Sequence, residues 1–447
     1  METIKGSISV LMLPWLAHGH ISPFLELAKR LTEKSFYIYF CSTHVNLISV
    51  KKILPEKYSQ SIELVELHLP SSPELPPHLH TTNGLPSHLM PILKTAFEKS
   101  KPFFSHILNT LKPDLIMYDF NEPWVPAAAW PLNIPAVLFL TFGSAFTSYF
   151  QNVLENPDTE FPFQSIYLHE CEKATFQKMS EFSADGLKDT DLFLESIKQS
   201  QDVILIKTSG EIEGKYVDYL SKLAKKKVQP VGPLVQEIDD RDEDIEVMRF
   251  LRKKDESSVV FVAFGSEYFL SNEEREEIAH GLELSRVNFI WVIRFPVGEK
   301  TRVEDALPKG FLDRVGGSGM VVEGWAPQAK ILGHSSTGGF VSHCGWSSLL
   351  ESIKFGVPII AMPMHLDQPF NARLVDEVGV GMEVKRDETG RLDREEIARV
   401  ITSIVVKENG TKFRNKAREL SENITMKEVE EIDGVVEEVV QLCGKRK

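Results

Sequence analysis

The sequence predicts an α/β protein of two domains that face each other across a cleft, each built on a parallel sheet with helices on both faces. Short apolar runs rich in Val, Ile, Leu and Phe alternate with helical patterns from the start of the chain, and a second such series begins at Val259. Continuous apolar runs of this length are typical of strands that are buried on both faces, as in parallel sheets. A chain of 447 residues, of which 42% are hydrophobic, can form the cores of two such domains.

The alternating pattern predicts the individual strands. They are expected at residues 8–13, 36–41, 62–67, 115–119, 136–140 and 203–207, and in the second series at 259–264, 289–293, 320–323, 339–342 and 357–362. Ser271 followed by Glu274 matches a capping box and predicts a helix that runs towards Leu284. Residues 411–442 show a charged amphipathic pattern, which predicts a helix packed outside the sheets.

An acidic segment separates the two series. Residues 237–246, EIDDRDEDIE, hold too much charge to lie in a core, and this indicates a linker. We therefore expect an N-terminal domain at residues 1–236, a linker at 237–256, a C-terminal domain at 257–425 and a terminal helix at 426–447.

Composition excludes several classes of partner. The formal charge is -14, and Lys and Arg are scattered apart from short groups at 225–227 and 445–447, so no nucleic-acid partner is expected. No run reaches the roughly 18 apolar residues that span a bilayer, and Pro14 interrupts the apolar run 8–16, which we interpret as a buried strand rather than a signal peptide. The four cysteines have no paired spacing, which favours a reducing cytoplasm and argues against disulfides and zinc. The sequons at Asn409 and Asn423 are accordingly expected to be unmodified.

The densest functional pattern lies in residues 325–368, WAPQAKILGHSSTGGFVSHCGWSSLLESIKFGVPIIAMPMHLDQ. Its middle part predicts a strand, a glycine turn and a helix whose N-terminus can bind an anion such as a diphosphate. Ser347 and Ser348 would add hydroxyl donors in the first turn, and His343 a ring donor. Glu351, one turn after Ser347, could accept two ribose hydroxyls.

The ends of this segment suit a nucleoside and a sugar. Trp325 is held before Pro327 and offers a flat surface on which a uracil ring could stack, with Gln328 at the ribose edge. Asp367 and Gln368 follow a predicted strand, at the sheet edge where ligands of such folds bind. Taken singly, each residue could be structural, since tryptophans often pack in cores and helical glutamates are usually solvated. Their ordered combination predicts a nucleotide-sugar site.

A candidate base lies in the first domain. The segment LPWLAHGHISPFLELAKRL places His20 at the start of a helix, where the dipole disfavours the imidazolium form and favours a neutral base. An alcohol needs such a base as its oxygen attacks a sugar. Asp119 ends the predicted strand DLIMYD and could orient and stabilise the imidazole. His18 is the competing candidate for the base, but it is better interpreted as a residue at the border of the acceptor pocket.

The expected reaction is a single in-line displacement that inverts the anomeric carbon. Helix and hydroxyl donors around the diphosphate would replace a metal, so neither a metal nor a cofactor is expected. The acidic runs 189–191 and 240–242 are interpreted as solvated rather than metal-binding. A dinucleotide-dependent oxidoreductase is disfavoured because no G-x-G-x-x-G opens a helix after either first strand. A non-catalytic nucleotide-sugar sensor remains the alternative of another class.

Residues 325–368 resemble the signature segment of plant family 1 UDP-glycosyltransferases, and GHISP and the Asp after an apolar strand resemble that family's catalytic pair. The resemblance covers nearly the whole chain. It implies the GT-B fold of two facing Rossmann-like domains, with the terminal helix packed back on the first domain, and UDP-glucose as donor because the segment ends in Gln. It implies uracil, ribose, phosphate and sugar contacts from Ser266, Trp325, Gln328, His343, Trp346, Ser348, Glu351, Asp367 and Gln368. Ala326, Gly345 and Ser347 complete the predicted donor site. Ser347 departs from the family, which commonly has Asn there.

The expected acceptor is a small molecule, and the sequence identifies its pocket less specifically than it identifies the donor site. The apolar candidates, all of which could equally belong to the core, are Trp15, Phe120, Trp124, Phe142 and Phe146. The polar candidates are His18, Thr82, Asn83 and His365, with Thr82 and Asn83 in the loop HLHTTNGLPSHL. This loop, FGSEYF and HCGWSS resemble the branch-forming subgroup, which adds a sugar to an existing glycoside and implies triterpenoid, crocetin, lignan or flavonoid glycosides as acceptors. Triterpenoid glycosides are favoured, direct transfer to an aglycone is the alternative, and a monomer is expected.

Overall fold

The computed structural model describes residues 7–184, 186–238, 245–296, 299–408 and 410–444. Three predicted features, Asn409, the acidic run 240–242 and the basic group 445–447, lie outside these ranges. The chain divides into two compact units. The first comprises Met1–Phe161, Lys178–Leu234 and Met426–Lys447, and the second comprises Pro162–Gln177 and Val235–Thr425. Residues 162–177 therefore belong to the second unit and not, as expected, to the first.

The first unit is built on a parallel sheet with a short separate hairpin. Its strands are β1 (Ser9–Leu13), β2 (Tyr37–Ser42), β3 (Ile62–Glu66), β4 (Leu115–Tyr118), β5 (Ala136–Leu140), β6 (Ser183–Ala184), β7 (Leu187–Lys188), β8 (Val203–Ile206) and β9 (Lys227–Pro230). Among the described residues, seven strands form the parallel sheet in the order β3-β2-β1-β4-β5-β8-β9, and β6 pairs antiparallel with β7. Its helices are α1 (His18–Thr32), α2 (His44–Ile53), α3 (Met90–Glu98), α4 (Lys101–Leu111), α5 (Val125–Ala129), α6 (Ser144–Glu155), α7 (Glu170–Ser180, which begins in the second unit), α8 (Asp189–Gln199) and α9 (Gly210–Ala224).

Burial of apolar strands explains this arrangement. Val10 of β1 is fully buried and lies opposite both Ile38 of β2 and Leu115 of β4. Such a sheet must be covered on both faces, and helices supply the cover. Phe24 of α1, for example, packs on Phe139 of β5 with ring centroids 4.7 Å apart. The apolar runs predicted from the sequence are therefore strands of this sheet.

The second unit repeats the design. It contains α10 (Glu246–Leu251), β10 (Val259–Ala263), α11 (Asn272–Ser285), β11 (Asn288–Ile293), α12 (Val303–Ala306), α13 (Phe311–Val315), β12 (Gly319–Glu323), α14 (Gln328–Leu332), β13 (Thr337–Ser342), α15 (Trp346–Lys354), β14 (Ile359–Ala361), α16 (Gln368–Val378), β15 (Gly381–Glu383), α17 (Arg394–Val405) and the first part of α18 (Gly410–Gly444). Its sheet, counted over the described residues, has six parallel strands in the order β12-β11-β10-β13-β14-β15. The capping box of Ser271 and Glu274 is present at the start of α11, as predicted.

Three features differ from the expectations. The segment expected as a linker contains α10, whose Val247 and Leu251 are buried in a core cluster of the second unit. The edge strands β9 and β15 were not predicted, because their sequences KVQP and GME are too polar or too short to form an apolar run. The same holds for the two-residue strands β6 and β7.

The last helix contributes to the first unit through its C-terminal part. Ile432, Val435 and Val439 of α18 lie in the same core cluster as the buried faces of β1 and α1. Glu431 adds a polar attachment, because its Oε1 accepts hydrogen bonds from Ser209 Oγ at 2.8 Å and from Gly210 N at 2.9 Å. The carboxylate satisfies one backbone donor, the Gly210 N–H at the start of α9, and the helix dipole favours a negative charge there.

Loops at the carboxyl ends of the strands define the functional edge of each sheet, since all strands of a parallel sheet end on the same side. In the first unit, the loops after β1, β4 and β5 lie there, and in the second unit those after β10, β12, β13 and β14. No helix within the described ranges is long and apolar enough to cross a membrane.

Candidate active site

The two residues predicted as a catalytic pair are in contact in the first unit. His20 lies in the first turn of α1, and Asp119 directly follows β4. Strands β1 and β4 are neighbours in the sheet, with Leu13 opposite Tyr118, so the loops that follow them meet. Nδ1 of His20 lies 2.7 Å from Oδ2 of Asp119, across 99 residues of sequence.

The surroundings of Asp119 hold its carboxylate in one orientation. The side chain is fully buried, Oδ2 also accepts a hydrogen bond from Trp15 N at 3.2 Å, and Oδ1 accepts one from Phe120 N at 2.8 Å. An acceptor held at Nδ1 places the ring proton on that nitrogen and the lone pair on Nε2. The His20 side chain is 18% exposed, so its ring is partly accessible. The pair is therefore arranged for proton abstraction at Nε2.

A third residue of this cluster was missed by the sequence analysis. Thr141 follows β5 directly and is buried, and its Oγ1 lies 2.9 Å from Nδ1 of His20. The hydroxyl therefore helps to fix the orientation of the imidazole ring. Its place at the carboxyl end of a predicted strand is the signal that could have identified it.

Glu122 is a second carboxyl close to the pair. It is fully buried, its backbone N–H donates to the Asp119 carbonyl at 3.2 Å, and neither carboxyl oxygen has a hydrogen-bond partner among the described residues. Burial and the neighbouring Asp119 charge raise the pKa of Glu122 well above its usual range. These two causes favour the neutral form of the Glu122 carboxyl over its charged form.

The apolar acceptor candidates separate into two groups. Phe120 and Phe142 are half-buried, and their ring centroids lie 5.6 Å and 6.4 Å from that of His20. Trp15 and Trp124 are instead 6% and 8% exposed and pack edge-on against Phe97, so their side chains belong to the core and not to an open pocket wall. Phe146 is buried as well.

The polar acceptor candidates lie in different environments. Thr82 is buried, and its backbone N–H donates to Leu16 O at 3.1 Å, which ties the loop to the segment before α1. Asn83 and His18 are exposed, His18 as the first residue of α1. His365 lies in the second unit, with its ring against Tyr268 at 5.2 Å, and is therefore grouped with the donor residues.

The nucleoside end of the predicted donor site is found after β12 and at α14. Trp325 is 74% exposed, so its indole face is available for stacking. Gln328 begins α14, and its Nε2 donates to Glu351 Oε2 at 2.7 Å and to Ser348 Oγ at 3.1 Å. These bonds place three predicted ribose and phosphate contacts together on α14 and α15.

The predicted phosphate end of the donor site consists of two glycine turns around a buried histidine. A Cβ at Gly265 would lie 2.6 Å from His343 Nε2, and one at Gly345 would lie 2.5 Å from it, so both positions require glycine. Burial lowers the pKa of His343 to about 4, so the ring is a neutral hydrogen-bonding group near pH 7. Gly345 precedes α15 without a side-chain cap, and Ser347 and Ser348 lie in the first turn. Ser266 lies in the turn after β10, next to Gly265.

The residues predicted to contact the donor sugar lie at the start of α16 and in the loop before it. Oε1 of Gln368 accepts from Met364 N and His365 N, both at 3.0 Å. Asn371, which the sequence analysis missed, donates from Nδ2 to Asp367 Oδ2 at 2.8 Å and to the Cys344 carbonyl at 2.9 Å. This amide joins the loop before α16 to the turn before α15.

Four predicted donor residues have buried side chains, namely Ala326, His343, Trp346 and Gln368. Trp346 is 4% exposed, and Ala326 is 8% exposed within a core cluster. The side chains of these two residues therefore pack inside the second unit. Over the described ranges, no group of three or more His, Cys, Asp or Glu side chains could hold a metal ion.

Two family models and several curated relatives match this chain. The family model of UDP-glucoronosyl and UDP-glucosyl transferases matches residues 166–422, and that of the glycosyltransferase N-terminal domain matches residues 6–236. UDP-glucosyltransferase 29 of Panax ginseng is 55% identical and covers 100% of this chain and 99% of its own. The beta-D-glucosyl crocetin beta-1,6-glucosyltransferase of Gardenia jasminoides is 54% identical, and the match covers 96% of this chain and 98% of that protein. The cyanidin-3-O-glucoside 2-O-glucuronosyltransferase of Bellis perennis is 50% identical, and the match covers 97% of each chain.

Solved structures give the same answer for the fold. Phytolacca americana UGT2, complexed with UDP-2fluoro-glucose and pterostilbene, matches with a TM-score of 0.78 at 25% identity and covers 98% of this chain and 100% of its own. Glycyrrhiza uralensis UGT73P12 matches in fold with a TM-score of 0.86 at 23% identity, over 98% of this chain and 97% of its own. The predicted GT-B fold class is confirmed, and the chain belongs to the UDP-glycosyltransferase family.

Proposed function

We propose that this enzyme is an inverting glucosyltransferase that transfers glucose from UDP-glucose to a sugar hydroxyl of a plant glycoside, with triterpenoid glycosides as the favoured acceptors. The observation that supports it most directly is the 2.7 Å contact between His20 Nδ1 and the buried carboxylate of Asp119. That contact prepares a neutral imidazole for one proton transfer, which is what an attacking hydroxyl requires.

The chemical step follows from this pair. Nε2 of His20 takes the proton of the acceptor hydroxyl while the acceptor oxygen bonds to the anomeric carbon, and the bond from that carbon to the diphosphate oxygen breaks with its electron pair. The products are a β-glucoside and UDP, and the imidazolium later returns its proton to solvent. Asp119 stabilises the imidazolium without accepting the proton. No covalent intermediate with the enzyme is formed.

The leaving diphosphate needs stabilisation of its charge. We assign this to the N-terminus of α15, the hydroxyls of Ser348 and Ser266, and the neutral ring of His343. Trp325 and Glu351 then hold the uridine. On this assignment no metal takes part, and the initial rate measured after dialysis against EDTA should equal the untreated rate. A loss that added Mg²⁺ restores would contradict it.

Glucose is the proposed donor sugar because Gln368 ends the donor segment. Its Oε1 is engaged by the backbone of Met364 and His365, which leaves the amide N–H₂ group as the donor for a sugar hydroxyl. One relative is named as a glucuronosyltransferase, so the donor must be tested. Initial rates with UDP-glucose, UDP-glucuronic acid and UDP-rhamnose should be highest with UDP-glucose, and a faster reaction with either of the others would refute this part of the proposal.

The acceptor class rests on relatives and on the polar loop. The Gardenia and Bellis enzymes are both named for transfer to an existing glucoside, and they match this chain over almost its whole length. The decisive experiment compares kcat/KM for triterpenoid, crocetin and flavonoid aglycones with that for their monoglucosides, using UDP-glucose. Preference for the monoglucosides is expected, and preference for aglycones would favour direct glucosylation instead. Absence of turnover with every acceptor, despite UDP-glucose binding, would favour a sensor.

A reducing compartment such as the cytoplasm remains the proposed location. The four cysteines, Cys41, Cys171, Cys344 and Cys443, form no disulfide, and Cys41 and Cys344 are fully buried. Cysteines without disulfides are typical of proteins from reducing compartments. The proposed form is a monomer.

A further inference from the structure

The turn between β5 and α6, residues 141–143, carries one of the groups that contact the candidate base. Thr141 directly follows β5, and its Oγ1 lies 2.9 Å from Nδ1 of His20. The turn ends where α6 begins at Ser144, with Gly143 in the N-cap position. A glycine has no side chain that could accept hydrogen bonds from the first N–H groups of the helix. These N–H groups therefore need an acceptor from another part of the chain.

A carboxylate from α9 is that acceptor. Oε2 of Glu213 accepts a hydrogen bond from Ser144 N at 2.8 Å, and Oε1 accepts one from Ala145 N at 2.7 Å. Glu213 is fully buried. Hydrogen bonds from N–H groups to a carboxylate are stronger than those between neutral groups, and the helix dipole favours a negative charge at this end of α6. Glu213 therefore attaches the end of the turn to α9.

The position of Glu213 is itself fixed. Its backbone N–H donates to Ser209 O at 3.0 Å, at the start of α9. Glu431 of α18 accepts hydrogen bonds at the same helix start, from Ser209 Oγ and Gly210 N. Burial raises the pKa of Glu213, whereas the backbone N–H groups that donate to it favour the carboxylate form. Movement of this carboxylate would leave buried N–H groups without acceptors, which is costly.

Thr141 thus lies between two attachments. The strand holds one end of the turn, because Leu140 is fully buried and its carbonyl accepts a hydrogen bond from Lys207 N at 2.8 Å. Glu213 holds the other end. A side chain that orients a catalytic group must itself be held to within about 0.5 Å. Loss of the second attachment should therefore loosen the hydroxyl of Thr141 and, through it, the imidazole.

We propose that Glu213 is a positioning residue of the active site, whose carboxylate fixes the turn 141–143 so that Thr141 holds the His20 ring for proton abstraction. Glu213 does not contact the reacting atoms and acts only through the turn. This inference rests on the proposed function, because it takes His20 as the base. It deepens that function by adding α6 and α9 to the parts of the fold that orient the base.

The test begins with a pair of variants in α9. Glu213→Gln keeps the size of the side chain but replaces one acceptor oxygen with an N–H₂ group that faces a backbone N–H. Loss of one charge-assisted hydrogen bond should lower kcat about 10-fold. The KM for UDP-glucose should change by less than about two-fold, because the predicted donor residues belong to the second unit. Glu211→Gln is the matched control, since Glu211 is exposed in the first turn of the same helix, and its kcat should stay within about two-fold of wild type.

A double-mutant cycle with Thr141→Ala separates positioning from a general loss of stability. If Glu213 acts through the Thr141 hydroxyl, Glu213→Gln should lower kcat by less than about two-fold in the Thr141→Ala background. The same factor in both backgrounds would indicate a purely structural role and would overturn the inference. Rates are measured well below the thermal midpoint of each variant. Glu213→Asp, which keeps the charge on a shorter side chain, replaces Glu213→Gln if the latter does not fold, and the same non-additivity is expected.

The His20→Ala variant distinguishes a failure of this inference from a failure of the proposed function. A large loss of kcat in His20→Ala, together with an unchanged kcat in Glu213→Gln, would overturn this inference alone. A His20→Ala variant that retains the wild-type kcat would overturn both, because Thr141 would then have no base to orient.

Discussion

His20 and its neighbour His18 offer a direct comparison at the scale of single residues. His20 contacts Asp119, whereas His18 is exposed at the start of the same helix. His20→Ala should lower kcat by about 10²- to 10⁴-fold, since general base catalysis contributes that much. The affinity for UDP, measured by calorimetry, should be unchanged because the predicted donor residues lie elsewhere in the sequence. His18→Ala is the control and should retain most of the activity, and the reverse result would transfer the role of base to His18.

His343 makes a prediction about stability and pH. Its pKa is about 4 in the folded chain and about 6.5 when unfolded, so between these values the unfolded state binds more protons. The free energy of unfolding should therefore fall as the pH falls from 6.5 towards 4, and the loss due to His343 should be about 2 kcal/mol at pH 5. The free energy of unfolding of the wild type and of His343→Gln, measured at pH 7.5 and pH 5, should show a smaller pH-dependent loss in the variant. Equal losses would show that His343 is not buried as a neutral ring.

At the scale of elements, the turn after β10 can be tested through its glycine. Gly265 has φ of +76°, and a Cβ there would lie 2.6 Å from His343 Nε2. Gly265→Ala should strain the backbone by about 1 kcal/mol and displace the imidazole, so the KM for UDP-glucose should rise at least about 10-fold. Gly317→Ala is the matched control in the same unit, because a Cβ there meets no atom within 4 Å. An unchanged KM in Gly265→Ala would remove His343 from the phosphate site.

The start of α9 depends on a side chain from the last helix, which links two distant parts of the chain. Glu431 accepts hydrogen bonds from Ser209 and Gly210, and the side chain is buried. Glu431→Ala should reduce the free energy of unfolding by about 1–2 kcal/mol, because it leaves helix donors unsatisfied. Glu430→Ala, which removes an exposed neighbour, should change it by less than about 0.5 kcal/mol. Chemical denaturation followed by circular dichroism distinguishes the two, and equal effects would exclude a capping role for Glu431.

At the scale of the whole molecule, local sequence patterns were sufficient to predict the buried strands of each unit. The buried strands were predictable because runs such as 8–13 and 259–264 are apolar on both faces, and α11 was predictable from its capping box. The edge strands β9 and β15 were not, because pairing with a neighbouring strand stabilises them and their own sequences are weak. The assignment of residues 162–177 to the second unit was likewise beyond a local pattern, since it depends on packing with residues far along the chain.

The candidate site likewise contains residues that the sequence predicted and residues that only the structure revealed. Strand order and motif spacing were sufficient to place His20, Asp119 and the donor segment at sheet edges, because parallel strands end on one side and their loops must meet there. The contacts of Thr141, Glu122 and Asn371 became visible only in three dimensions, since each joins residues 3 to 121 positions apart that no motif records.

The burial of Trp15, Trp124, Ala326 and Trp346 also needed the folded chain. Hydrophobicity is the same for a side chain in a core and one in a pocket wall, and only packing separates the two. The amino-acid order was thus sufficient to identify the family, whereas tertiary packing decides which apolar side chains are buried in a core and which remain uncovered.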